Sequence, residues 1–177
     1  MEMTRLSAKT ILSLALLAIL LYFGFLYINN DIGIQGSKIE SDILSSQKID
    51  DDWHITGEVS NSMAAYISYP EDLSDHTFSV YVNRPGLSFG YFFRCGGGLG
   101  SVETSITEFT LDGYNERAFM SMNQQKVNQL VLDDGNSPQV IEIDSSKPFA
   151  IVLPVNSGAL TFYTKDGSIA EITEYSL

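Results

Sequence analysis

Residues 10–28, TILSLALLAILLYFGFLYI, form an uncharged apolar run between Lys9 and Asn29. A segment of this kind decides which solvent the rest of the chain must face. As a helix rising about 1.5 Å per residue, it reaches roughly 28 Å, close to the thickness of a bilayer's hydrocarbon core. Leu, Ile and Phe fill twelve of its nineteen positions. Each favours insertion by about 0.3–0.6 kcal/mol near the membrane centre. Tyr27 falls at headgroup level, where its ring stays apolar and its hydroxyl wet.

A cleaved signal peptide is the competing reading. It has an apolar region of about 7–15 residues followed by a small-x-small cleavage site. Here the run is longer, and Asn29-Asn30-Asp31-Ile32-Gly33 offers no such pattern. A lipid-attachment cysteine is also missing from the end of the run, since the sole cysteine is Cys95. An uncleaved, single-pass signal-anchor is therefore expected. Arg5 and Lys9 precede the run and Asp31 is the first charge after it. By the positive-inside rule, residues 1–9 form a cytoplasmic tail and the body is extracytoplasmic.

Beyond residue 28 the chain carries eight basic and 21 acidic residues, a net charge of −13. Such a surface repels polyanions, which disfavours sequence-independent nucleic-acid binding. One cysteine makes no intramolecular disulfide, so the fold must be held by an apolar core. No N-x-[S/T] sequon is present, and the sequence suits a bacterial cell envelope.

Residues 29–52, NNDIGIQGSKIESDILSSQKIDDD, are polar and rich in Ser, Asp and Asn. They read as a flexible stalk, with Ile39, Ile43 and Leu44 as the one hint of a short amphipathic helix. From Trp53 onward the apolar pattern has period two, broken by Gly, Pro, Asn and Asp. Strands are expected at 53–59, 63–69, 77–83, 87–94, 101–111, 116–122, 127–133, 139–144, 149–153, 159–164 and 168–175. Asp112-Gly113, Asp133–Asn136, Asn156–Gly158 and above all Asp166-Gly167 supply hairpin chemistry. Residues 53–177 are thus expected to form one all-β domain, an antiparallel β-sandwich of jelly-roll or Ig-like type.

No stretch of this domain carries a strong catalytic signature. The most unusual patch is Arg94-Cys95-Gly96-Gly97-Gly98-Leu99-Gly100-Ser101, with four glycines in five residues. A phosphate loop would place such glycines before a helix, usually with a Lys behind them. Here a strand is expected next, and no Lys follows. Arg94, Cys95, Gly96, Gly97, Gly98 and Gly100 are retained as a candidate functional loop. Cys95 with His54 or His76 would be a thiolate–imidazole pair if a third group oriented the ring. The same residues lack the spacing of a zinc site. Asp50, Asp51 and Asp52, or Asp72 with Asp75, would supply oxygens to Ca²⁺, though without EF-hand spacing. Glu103 and Glu108 are the carboxylates a glycosidase reading would use.

The expectation is a non-enzymatic, membrane-anchored domain that binds another protein or an envelope polymer. Two other readings are a membrane-tethered hydrolase or thiol enzyme built around Cys95, and a structural subunit of a membrane complex.

Overall fold

The computed structural model describes residues 7–84 and 86–177; most of the segment 1–9, including Arg5, lies outside the described residues. Helix α1 (Ala8–Ile28) covers the apolar run, and the Ser7 side chain caps its start by accepting from the Thr10 amide. By length and composition it suffices to cross a membrane, and almost all of it is exposed. Leu26 alone among its residues is fully buried.

The polar segment that follows is folded, where a flexible stalk was expected. Residues 31–34 lie against the chain at 89–91. Gly33 N donates to Phe89 O, Phe89 N to Asp31 O, and Ile34 and Tyr91 exchange a pair of backbone bonds. A short 3₁₀ turn (Gly36–Lys38) leads into α2 (Ile39–Gln47). Glu40 and Asp42 in its first turn suit the helix dipole, and left-handed Lys48 ends it. Ile39 and Ile43, one helical turn apart, are fully buried against Ala64, Tyr66 and Tyr81. Polar ties reinforce this face: Tyr81 OH donates to Asp42 Oδ2 at 2.7 Å, and Gln47 Nε2 donates to Ser79 Oγ at 2.6 Å.

Among the described residues eleven strands follow, in three sheets. The first is an antiparallel meander of β1 (His54–Val59), β2 (Met63–Tyr69), β3 (Thr77–Asn83) and β4 (Tyr91–Gly97). The second contains β5 (Ile106–Thr110), β6 (Glu116–Ser121), β9 (Phe149–Pro154) and β11 (Ile172–Ser176), in the order β11-β5-β6-β9. The third contains β7 (Val127–Asp133), β8 (Gln139–Glu142) and β10 (Ala159–Thr164), in the order β10-β7-β8. Among the described residues these strands pair antiparallel except β11 with β5, which are parallel.

Period-two alternation explains the cores. Met63, Ala65, Ile67, Phe78, Val80 and Val82 of the meander share one core with Phe109, Ala118, Met120 and Val152 of the second sheet. The alternate residues Ile106, Phe119 and Leu153 point to the other face, where they meet Leu130, Leu132 and Phe162 of the third sheet. The second sheet is thus apolar on both faces. So is β2, buried at every position because α2 covers its outer side.

Three local expectations change. Residues 87–90 are a loop, and β4 begins only at Tyr91. The stretch 101–111 divides into a one-turn helix α3 (Gly100–Thr104) and β5. Asn156–Gly158 is a connection between sheets, since β9 pairs with β6 and β10 with β7. Asp166-Gly167 does form its turn, with Thr164 N donating to Ser168 O, but the chain then leaves to pair with β5.

Candidate functional site

The glycine-rich stretch lies at the far end of β4. The β3–β4 register shifts between Val80 and Tyr81, so that Val80 faces Cys95, Tyr81 faces Phe93, and Arg94 has no partner. This bulge turns Arg94 outward and Cys95 onto the core. Burial pushes the Cys95 thiol up to about 11, against the opposing pull of the Arg94 charge. The thiol is thereby held in its protonated form at neutral pH, the opposite of what an activated nucleophile needs.

Neither histidine attends Cys95. The His54 ring bonds the Glu71 carboxylate and tilts against Tyr69, and the His76 ring lies 3.2 Å from Leu99 O. His76 therefore closes the glycine-rich loop through both backbone groups of Leu99. Gly96 is a packing residue, since an added Cβ would sit 2.6 Å from Phe78 O and 2.7 Å from the Gln47 amide nitrogen. Gly97 and Gly100 have open space around them, and a Cβ on Gly98 would meet only His76 O, at 3.9 Å. The single turn of α3 is no phosphate-binding helix.

The other candidates are also engaged elsewhere. Glu108 forms a largely buried ion pair with Arg117 at 2.9 Å, and Glu103 is exposed on α3, so they do not act as paired carboxylates. Asp72 accepts from the Ser74 hydroxyl and amide, which holds its carboxyl below the usual range. Asp75 accepts from the His76 amide. Among the described residues, no group of three or more His, Cys, Asp or Glu side chains is placed to hold a metal.

What the structure adds is a surface cleft that sequence spacing did not reveal. A depression of about 370 Å³ lies between the β3–β4 hairpin and the β5–β6 turn, lined by Arg84, Phe92, Arg94, Asp112, Tyr114 and Leu177 among others. A second, of about 390 Å³, is lined by Asn61, Ser62, Asn83, Ser88 and Asn115. Arg84 and Tyr114 line both and join them. The Arg84 guanidinium stacks 3.9 Å above the Phe92 ring. Among the described residues neither Arg84 nor Arg94 forms an ion pair. Of the sequence candidates, only Arg94 belongs to this cleft. Its other walls come from segments far apart in the chain, joined by the stacking of β-structure, and no local pattern marks them.

The Glu116 carboxylate lies under the β1–β2 turn, accepting from the hydroxyls of Ser60 and Ser62 and from the Ser62 amide at 3.0 Å. Burial pushes its carboxyl up, but these hydrogen bonds outweigh burial and hold it below the ordinary value. Tyr91 OH donates to Ser60 O in turn. Neither a known protein family, nor a curated protein, nor a solved structure matches this chain.

Proposed function

We propose that the protein is a single-pass cell-envelope protein whose extracytoplasmic domain binds another protein or an envelope polymer through the Arg84–Tyr114 cleft. Residues 10–28 are the anchor, with the N-terminus cytoplasmic. The sheets form a layered β-sandwich, a reading supported by apolar cores on both faces of the second sheet. The observation that carries the binding reading is a pair of guanidiniums, without ion-pair partners among the described residues, in a concave site on an otherwise acidic body. With the amides of Asn61, Asn83 and Asn115 beside them, these groups suit a ligand rich in anionic or hydroxyl oxygens. The thiol-enzyme reading loses support from the protonated, core-facing Cys95.

Crosslinking in native membranes followed by mass spectrometry tests the proposal. A partner crosslinked to the intact protein should be lost in the Arg94→Ala/Tyr114→Ala double variant. Undiminished capture by that variant contradicts the cleft as the binding site. Capture that depends on α1 alone would favour a structural subunit contacting its complex within the membrane.

A further inference from the structure

We infer that Leu87 and Phe89 enter the outer leaflet beside α1, so that the folded body rests on the membrane through an apolar foot. The inference rests on the anchoring reading above, and it concerns the lipid surface itself as ligand.

The contact level along the helix carries it. Tyr22 OH approaches Leu87 O at 3.4 Å, and the Phe89 ring lies 6.4 Å from that of Tyr22 and 6.3 Å from that of Phe23, centroid to centroid. Tyr22 and Leu26, four residues apart, share the helix face turned toward the body. Phe23 lies five residues before the end of α1 at Ile28, which is about 7 Å along the axis. Any bilayer that covers the whole helix therefore also covers Phe89. Depths of about 5–10 Å are where apolar residues of interfacial elements come to rest.

Length argues against holding the body clear of lipid. The 21 residues of α1 reach about 31 Å, enough for a hydrocarbon core of roughly 30 Å. Withdrawing the contact level from the bilayer would leave residues 8–21, about 21 Å, to span it. That mismatch would also strand the patch in water: Leu87 is 66 %, Phe89 50 % and Ile32 48 % exposed. Around the foot the chain turns polar, with Ser88 Oγ donating to Arg84 O and Asp31 O accepting from Phe89 N. Strand-like backbone bonds tie Phe89 and Tyr91 to residues 31–34, which lead directly out of α1.

The test uses the full-length chain in phosphatidylcholine nanodiscs, with a Cys95→Ala background and an environment-sensitive fluorophore on Leu87→Cys or on Ile19→Cys. Lipids carry a nitroxide quencher either near the carbonyl or near the end of the acyl chain. Residue 87 should lose about half its emission to the shallow quencher and far less to the deep one. Residue 19, at mid-helix, should show the reverse. Quenching at residue 19 with none at residue 87 overturns the foot and leaves the anchor standing. No quenching at residue 19 overturns both. If the Cys95→Ala background fails to fold, Leu87→Trp with Trp53→Phe reports the same depth through its own emission.

Discussion

The two ends of β4 are both rich in glycine, and they use it differently. At the N-terminal end, Gly90 has a φ of +81°, and an added Cβ would lie 2.5 Å from Ile34 O. Across from it, a Cβ on Gly33 would lie 2.5 Å from Tyr91 O. Backbone meets backbone there because neither residue has a side chain. At the C-terminal end Gly96 is tightly packed, Gly98 would make an ordinary contact with His76 O, and Gly97 and Gly100 face open space. The first end fastens α1 to the body. The second is a connection to α3. A glycine is informative when something approaches it, and a count of glycines does not distinguish the two.

The largest expected effect follows from fastening residues 29–52 to the meander. Ile43→Ala should cost about 3 kcal/mol in denaturant unfolding, as expected for a fully buried aliphatic side chain. A change below about 0.5 kcal/mol would mean that α2 is a loose appendage. For the glycine-rich end, alkylation of Cys95 at neutral pH should be about 100-fold slower in the folded than in the unfolded protein, because folding raises the thiol from 9.0 to about 11. Equal rates would restore that end as a reactive site. Gly90→Ala should destabilise by about 2 kcal/mol through its positive φ and its contact with Ile34 O, measured by thermal unfolding.

The smallest effect is electrostatic. The folded Glu116 carboxyl is held below its unfolded value, so its stabilisation is fully present above the unfolded pKa and is lost as pH falls through the folded one. Acid titration of stability should therefore be shallower in Glu116→Gln, with a difference of about 1 kcal/mol after screening. An unchanged titration would mean that the turn beneath Tyr91 does not depend on this carboxylate.

Much of the fold was legible because period-two patterning reports directly which side chains share a face. Phe78, Val80 and Val82 alternate as read and enter one core. Patterning is silent about partners at long range, so neither the parallel β11–β5 pair nor the three-sheet order was visible. The stalk reading followed average polarity, whereas two buried isoleucines at helical spacing decide the outcome. A signal for them existed in Met63–Tyr69, whose apolar residues on both faces require a cover on each side. At the site, Arg94 stood out by sequence, but Arg84, Tyr114 and the asparagines around them did not. A cleft between loops has no period.

The central claim is that the body is fixed to the end of α1 and does not swing from it. Spin labels on Ile19→Cys and Ser137→Cys, in the Cys95→Ala background and in nanodiscs, measure this by pulsed electron resonance. The account predicts one narrow distance distribution. A flexible 24-residue linker would spread it over about 25 Å, and such a spread would contradict the account.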